Sequence, residues 1–271
     1  MKQTFLLLLF VLATASGMAA KVDTVSTSSS DMHKDIKAVV ITPADYNASR
    51  KFPVLYLLHG FSGNYSDWIK KDPELTRLSD EYHMIIVCPD GDVASWYFDS
   101  AVKAGSKYET YISSELVSWI DKHYSTIASR GGRAITGLSM GGHGALYLAF
   151  RHPGIFGAAG SMSGGVDLRP FPQSWDLDKV LGKYSENHTR WEDNSVINML
   201  YLLTPNLLDL IIDCGADDFF NPCNNQLHEK LLERKIPHDY TVRPGGHTWE
   251  YWSNSIRYHT LFFHQFFEKN K

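Results

Sequence analysis

The stretch "AITGLSMGGHGAL", which begins at Ala134, places Ser139 between glycines and between two apolar runs. Its centre, Gly137 to Gly141, has the spacing Gly-x-Ser-x-Gly, which is typical of a very tight turn from a β-strand into an α-helix. In such a turn a side chain at Gly137 or Gly141 would collide with neighbouring backbone, and the serine is lifted clear of the sheet. The pattern therefore predicts a strand before Ser139 and a helix directly after it.

Short apolar runs closed by Gly, Pro or Asp recur along the chain and predict buried parallel strands. They begin near Val54, Met84, Arg133, Ala158, Leu207 and His238. Two extended runs at the mature start, with alternation around residues 36–41, predict an antiparallel pair at one edge. Helical patterns fill the gaps, over residues 108–124, after Ser139 as far as Pro153, before Pro237, and at the end of the chain from Ser255. The alternation predicts a doubly wound, mostly parallel α/β sheet of about eight strands, with helices on both faces and ligands at the carboxyl ends of the strands.

The size and composition suit one large domain over residues 21–271. The whole chain has 271 residues, of which 44% are hydrophobic, enough for an ample core. One segment, residues 166–206, lacks a strand pattern and carries Trp175, Tyr184 and Trp191 among polar residues. We expect this segment to form a small cap or insertion beside the site.

The first twenty residues have the features of a secretory signal. Lys2 precedes an apolar run from Phe5 to Ala13, and small residues follow, with cleavage expected near Ala19 or Ala20. The run is short of the ~20 residues that a membrane-spanning helix needs. We therefore expect an exported protein, periplasmic or secreted, that is not held in a membrane after cleavage. The net charge of −4, with no basic cluster, argues against nucleic-acid partners.

Ser139 is a candidate nucleophile, because the helix behind it points free backbone N–H groups at the same spot. A phosphate-binding loop would need a lysine after the glycines, where this chain has His143. A serine hydroxyl needs a base, and in this fold the partners follow in the order serine, acid, histidine. His247, in "RPGGHTWEYW" just past the last predicted strand, is the best-placed base. His59 is expected only to shape its own loop.

The acid is expected on the loop "DCGADDFF" after the preceding strand. Asp213 belongs to the strand end, which leaves Asp217 and Asp218. Either carboxylate could instead stabilise a turn or begin a helix, so the residues alone leave both open.

Several further residues have two readings. Cys214 and Cys223 could pair as a disulfide in an exported protein, or all three cysteines of the chain could be buried thiols. Trp96 and Tyr97 could line an acyl pocket or act as core rings that support their loop. No cluster has metal-ligand spacing, so we expect neither a metal nor a cofactor.

The chain resembles the Putative esterase branch of the α/β-hydrolases. The motifs are "YLLHGFSGNYSDW", "PDGDVASWYFDS", "YETYISSELVSWID", "GLSMGGHGAL", "CGADDF" and "GGHTWEYW". The branch includes S-formylglutathione hydrolases of the esterase D type, tributyrin esterases, and the feruloyl and acetyl-xylan esterases of carbohydrate esterase family one, with mycolyltransferases as more distant relatives. The resemblance implies the α/β-hydrolase fold. It also implies that the acid is Asp218, three residues after Gly215, and that the oxyanion hole is formed by the backbone N–H groups of Phe61 and Met140.

From these features we expect a serine ester hydrolase that works through an acyl-enzyme. Its substrates would be small-molecule esters, or short-chain acyl, acetyl or feruloyl esters of carbohydrate outside the cytoplasm. An acyltransferase and an S-formylglutathione-hydrolase-like thioesterase are the alternatives, although export argues against a cytosolic glutathione thioester. A binding module that only keeps the fold would not need all three of Ser139, Asp218 and His247. The sequence does not fix the oligomeric state, and a homodimer is one option.

Overall fold

The computed structural model describes residues 19–271, and within them eight strands form one sheet. The strands are β1 (Lys21–Ser29), β2 (Lys34–Thr42), β3 (Val54–Leu58), β4 (Ile85–Pro89), β5 (Arg133–Gly137), β6 (Ala158–Met162), β7 (Asp209–Gly215) and β8 (Asp239–Arg243). Their order is β1-β2-β4-β3-β5-β6-β7-β8. The pairs β1–β2 and β2–β4 are antiparallel, and the strands from β4 to β8 are parallel to one another. The predicted sheet and its antiparallel edge are confirmed.

The four predicted helical regions are present, and the described residues contain four further short helices. They are α1 (Asp67–Lys71), α2 (Leu75–Glu81), α3 (Tyr108–Thr110), α4 (Val117–His123), α5 (Met140–Arg151), α6 (Leu177–Leu181), α7 (His188–Asp193), α8 (Asn221–Glu233) and α9 (Trp249–Lys269). The short α1, α2, α6 and α7 were not predicted. A π-helical segment, Tyr111–Leu116, joins α3 to α4. The final helix starts six residues earlier than the predicted Ser255, where Thr248 accepts a hydrogen bond from Tyr251 N at 3.4 Å as its N-cap.

Two apolar layers cover the two faces of the sheet, because successive residues of a strand point to opposite sides. In β3, for example, Tyr56 belongs to one buried cluster and Leu57 to the other. The first layer packs α4, α5 and α8 against the sheet, and the second packs α1, α2 and α9. This is the doubly wound arrangement expected from the alternating pattern.

The topology brings four loops together at the carboxyl ends of the parallel strands. Because β3 through β8 run parallel, the loops after β3, β5, β7 and β8 leave from the same ends of their strands. The order in which strands are added to the sheet reverses between β3 and β5. The next strand in the sequence after β3 is β4, which pairs on one side of β3, whereas β5 and the later strands are added on the opposite side of β3. Ligand sites of open α/β sheets lie at such a switch point.

Residues 166–206 form no strand, as predicted. The segment contains α6, α7 and the short 3₁₀ turns Tyr184–Glu186, Val196–Asn198 and Leu200–Leu202. Trp191 is fully buried against the first apolar layer, whereas Trp175 is half-buried. The segment therefore continues the domain core and brings one aromatic side chain toward the ends of the strands.

The predicted signal segment lies outside the described residues, apart from Ala19 and Ala20. Among the helices of residues 19–271, none is both long enough and apolar enough to cross a membrane.

Candidate active site

The turn that carries Ser139 is as tight as its glycines require. A Cβ on Gly137 would lie 2.7 Å from the carbonyl oxygens of Gly141 and Leu58, and one on Gly141 would lie 2.6 Å from the oxygen of His59. Such distances leave no room for any side chain, so glycine is needed at both positions. Ser139 itself has φ 55° and ψ −116°, a strained conformation for a residue with a side chain, and α5 begins at the next residue.

Ser139, His247 and Asp218 form one chain of hydrogen bonds. His247 Nε2 lies 2.9 Å from Ser139 Oγ, and His247 Nδ1 lies 2.8 Å from Asp218 Oδ2. The carboxylate accepts from Nδ1–H, which leaves Nε2 free to accept the serine proton. The loops after β5, β7 and β8 thus bring together the three residues that the sequence and the resemblance proposed as nucleophile, acid and base.

The acid is held firmly on its own loop. Asp218 is 4% exposed, and its second oxygen, Oδ1, accepts from the backbone N–H of Phe220 at 2.8 Å. The neighbouring Asp217 is exposed and is attached only through its backbone, whose N–H donates to Gly245 O at 2.9 Å. Asp213, inside β7, is buried in an ion pair with Arg243. Of the three aspartates, only Asp218 meets the imidazole.

The His247 ring lies in an aromatic surrounding. Phe219, Phe220 and Trp252 approach it with ring centroids at 4.4, 5.4 and 4.8 Å, the last two edge-to-face. The side chain is 17% exposed. These rings restrict the imidazole to the orientation that joins Ser139 to Asp218.

The loop after β3 carries Phe61, one of the two residues whose backbone N–H groups the resemblance implies as oxyanion donors. Phe61 lies in the wall of the cavity above Ser139, and Met140 is the first residue of α5. Within residues 19–271, neither of these two amide N–H groups has a protein acceptor. Two unpaired N–H groups are what the role implied by the resemblance requires, and that role stays a prediction.

His59 shapes this loop, as expected. Its Nε2 accepts from Gly91 N at 2.7 Å and its Nδ1–H donates to Gly60 O at 2.8 Å. Burial lowers the pKa of this histidine, so the ring is neutral. With both nitrogens occupied, His59 fixes the backbone beside Phe61 and has no free atom for proton transfer.

A cavity of about 360 Å³ opens onto Ser139 and His247. Aromatic side chains make up much of its wall, together with one carboxylate. They are Phe61, Trp175, Phe219, Trp249, Trp252 and Asp67. The sequence analysis had assigned five of these to no role in the site: Trp175, Phe219, Trp249, Trp252 and Asp67. In the sequence Phe219 directly follows Asp218, and Trp249 lies close to His247. This proximity could have pointed to both residues.

Trp96 and Tyr97 do not line this cavity. The interpretation that they line an acyl pocket is therefore wrong, and they are core rings that support their loop. They are 1% and 0% exposed. Trp96 Nε1 donates to the backbone oxygen of Trp175 at 3.1 Å, and Tyr97 OH donates to that of His59 at 3.0 Å. Both residues support loops that form the cavity and do not touch its contents.

All three cysteines are buried free thiols. In the structure Cys214 and Cys223 therefore do not form the disulfide that was one of the two alternatives. Cys214 lies inside β7, and Cys223 lies in the first turn of α8, where its Sγ donates to Phe220 O at 3.1 Å. Burial raises the pKa of both thiols. They pack as small apolar groups behind the Asp218 loop.

No group of three His, Cys, Asp or Glu side chains in the described part of the chain could hold a metal ion. The absence of a metal or cofactor from the reaction stays a prediction, which chelation would test.

Known proteins share both the sequence pattern and the fold. A family model described as Putative esterase matches residues 29–263. Esterase MT1326 of Mycobacterium tuberculosis (strain CDC 1551 / Oshkosh) is 40% identical over 235 residues, which are 77% of this chain and 51% of that protein. The chain thus spans about half the length of that relative.

Two further relatives cover most of their own length. The Acetyl esterase of Caldicellulosiruptor saccharolyticus is 26% identical over 226 residues, covering 77% of this chain and 82% of that protein. A solved structure of a ferulic acid esterase superposes with a TM-score of 0.80 at 29% identity, over 92% of this chain and 99% of that one. The fold is that of the α/β-hydrolases, and the chain belongs to the Putative esterase family.

Proposed function

We propose that the protein is a serine esterase that cleaves carboxylic esters through an acyl-enzyme on Ser139. The observation that carries the proposal is the continuous chain from Ser139 Oγ to His247 at 2.9 Å and from His247 to Asp218 at 2.8 Å. Ser139 stands at the tight turn in the floor of an aromatic cavity. A nucleophile joined to a base, with the base oriented by an acid, is the arrangement that acyl transfer requires.

In the first half of the reaction Ser139 Oγ attacks the ester carbonyl while His247 Nε2 takes the hydroxyl proton. The carbonyl oxygen becomes negative and accepts hydrogen bonds from the N–H groups of Phe61 and Met140. A donor of this kind typically lowers the barrier by about 3 kcal/mol. The tetrahedral intermediate then collapses, the ester C–O bond breaks, and His247 passes the proton to the leaving alcohol.

In the second half, water repeats the attack on the acyl-enzyme. His247 takes a proton from the water and returns one to Ser139 Oγ, which releases the carboxylic acid. Asp218 stays ionised throughout. Its part is to hold the imidazole with Nδ1–H inward and to stabilise the imidazolium that forms in each half.

We propose short-chain acyl, acetyl or feruloyl esters of carbohydrate outside the cytoplasm as the substrate class. Two similarities support this class: the relatives named acetyl esterase and ferulic acid esterase. The secretory signal predicted for residues 1–20 supports an extracytoplasmic site of action, periplasmic or secreted. The aromatic wall of Trp175, Phe219 and Trp249 suits either a planar acyl group or the apolar face of a sugar ring.

The test is hydrolysis of a panel of esters by the purified mature chain. The panel comprises p-nitrophenyl esters of rising chain length, methyl ferulate, acetylated xylan and S-formylglutathione. We expect hydrolysis of the oxygen esters, with an initial burst of p-nitrophenol equal to the amount of enzyme if deacylation is the slower half. A fluorophosphonate should form a covalent adduct on Ser139, found by mass spectrometry.

The matched variants are Ser139→Ala and Ser253→Ala, the second on the half-buried side of α9. We expect Ser139→Ala to lose at least about 10⁴ in kcat with an unchanged circular-dichroism spectrum, and Ser253→Ala to keep the wild-type rate. Retention of a tenth of the wild-type turnover by Ser139→Ala would show that another group is the nucleophile.

A further inference from the structure

Asp67 is the one carboxylate in the wall of the active-site cavity. Apart from His247, the residues that line the described cavity include no other ionisable side chain, and in particular no Lys or Arg. Asp67 is half-buried, at the first position of α1 directly after the loop that carries Phe61. Asp67 is therefore the only negative charge among the residues that line the described cavity, whereas Asp218 lies behind His247.

The carboxylate is held in place by its own loop. Oδ2 accepts from the backbone N–H of Asn64 at 3.2 Å, and Oδ1 accepts from Asn64 Nδ2 at 3.0 Å. A Cβ on Gly63 would lie 2.7 Å from Oδ2. The side chain is thus folded against the loop and cannot swing out of the cavity wall without breaking these contacts.

Asp67 forms no ion pair within residues 19–271, and the two lysines that follow it on α1, Lys70 and Lys71, are exposed. His59 lies on the other side of Gly63, where the same Cβ would lie 3.0 Å from His59 Nδ1. Burial lowers the pKa of His59, which is neutral. The two amide donors from Asn64 stabilise the carboxylate but carry no net charge. The negative field of Asp67 is therefore felt inside the cavity.

The distances involved are short enough for this charge to act on a bound substrate. A sphere with the cavity's 360 Å³ is about 9 Å across, close to the Debye length of ~8 Å at physiological ionic strength. Charges in a partly buried cavity are screened less than charges at the surface. An anion placed beside Ser139 is repelled by Asp67, whereas a neutral group is not.

We propose that Asp67 is a specificity-determining residue that favours esters with a neutral alcohol part and excludes esters and thioesters whose leaving group is anionic. The inference rests on the proposed esterase function and narrows its substrates. Neutral sugar esters fit this rule. S-formylglutathione does not, because the glutathione part carries two carboxylates and one ammonium group.

The experiment compares two esters of the same shape, neutral 4-acetoxybenzamide and anionic 4-acetoxybenzoate, in the wild type and in Asp67→Asn. The ratio of their kcat/KM values is measured at about 10 mM and at about 500 mM NaCl, since high salt screens the field. We expect Asp67→Asn to lower the neutral-over-anionic ratio about tenfold at low salt. In the wild type, high salt should shift the ratio in the same direction.

Glu250→Gln is the matched control. Glu250 is exposed and does not line the cavity, although it follows Trp249, which does. Its replacement removes the same charge from the protein as the replacement of Asp67. We expect this variant to keep the wild-type ratio at both salt concentrations. A ratio that shifts equally in Glu250→Gln and Asp67→Asn would overturn the assignment to Asp67, because net charge alone would then explain the effect.

The outcomes separate this inference from the proposed function. If the wild type hydrolyses both esters through Ser139 but the ratio is the same in Asp67→Asn, the inference is wrong and the esterase function stands. If the wild type hydrolyses neither ester, both are wrong. Should Asp67→Asn fail to fold, the salt dependence of the wild-type ratio still decides, since a ratio independent of salt contradicts a role for the charge.

Discussion

Gly215 and Gly245 pack backbone against backbone, so that a Cβ on Gly215 would lie 2.3 Å from the carbonyl oxygen of Gly245. Gly245 has φ +131°, a conformation that residues with a side chain rarely adopt. The same Gly245 oxygen accepts from the N–H of Asp217 at 2.9 Å. This contact joins the loop that carries Asp218 to the loop that carries His247, and it sets the separation of the two side chains.

We predict that Gly215→Ala forces these loops apart. The new methyl group meets backbone, which cannot move aside as a flexible side chain could, and overpacking of this kind typically costs about 1–3 kcal/mol of stability. A displacement of about 1 Å at the catalytic groups typically lowers kcat by about 10². Gly154→Ala is the control, because its Cβ would meet nothing within 4 Å. Ester hydrolysis and thermal unfolding of both variants test the prediction, and equal rates in the two would contradict it.

The second prediction distinguishes two neighbouring acids. Asp218→Asn keeps the shape of the side chain but disfavours the imidazole tautomer with Nδ1–H, and the corresponding change in a serine protease lowers kcat roughly 10⁴-fold. We expect a loss of that order here. Asp217→Asn, at an exposed position, should lose less than about tenfold, since surface substitutions usually change stability by only ~0.5 kcal/mol. The kcat values on one p-nitrophenyl ester decide, and a crippled Asp217→Asn would mean that the acid lies one residue earlier.

The choice between these acids shows what the residues alone could and could not establish. Strands, helices and the turn at Ser139 follow from local patterns, because each depends on periodicity or on glycine geometry within a few residues. Asp217 and Asp218 share charge and neighbourhood, so no local pattern separates them. What separates them is the path of the backbone after Gly215, which depends on contact with Gly245 thirty residues away. Only the spacing known from a family carried that information.

The cavity wall was beyond prediction for the same reason. Trp175 comes from the segment of residues 166–206, and Asp67 comes from α1, which the pattern had not revealed. Trp96 lies in a loop at the correct end of its strand, yet it is turned inward to hold the backbone of Trp175. Which ring faces solvent and which faces the core is decided by packing between distant segments.

The thiols give a third prediction. If Cys214 and Cys223 are free in the exported protein, a denatured, non-reduced sample should take up one alkyl group at each of them and at Cys88. Because all three are buried and their pKa values are raised by burial, the native protein should react much more slowly than the denatured one. Peptide mass spectrometry after alkylation provides the measurement. A disulfide-linked peptide containing Cys214 and Cys223 would contradict the structure.

The last prediction concerns stability at acid pH. His143 is fully buried in α5, stacked on Tyr147, and its Nε2–H donates to Asn194 O at 2.9 Å. Burial lowers the pKa of this histidine from about 6.5 to about 4. Below pH 6.5 the His143 imidazole therefore binds a proton in the unfolded chain but stays neutral in the folded chain. The free energy of unfolding must then fall as the pH drops from about 6.5 toward 4. The difference in pKa corresponds to about 3 kcal/mol across that window.

In His143→Gln, which has no proton to bind, this part of the pH dependence should vanish, so that the stability of the wild type relative to the variant declines by about that amount between pH 7.5 and pH 4. Urea unfolding at a series of pH values provides the measurement. His123→Gln replaces an exposed histidine and should leave the wild-type pH dependence in place. Parallel stability curves for the wild type and His143→Gln would mean that the buried ring is not what makes the fold sensitive to acid in this range.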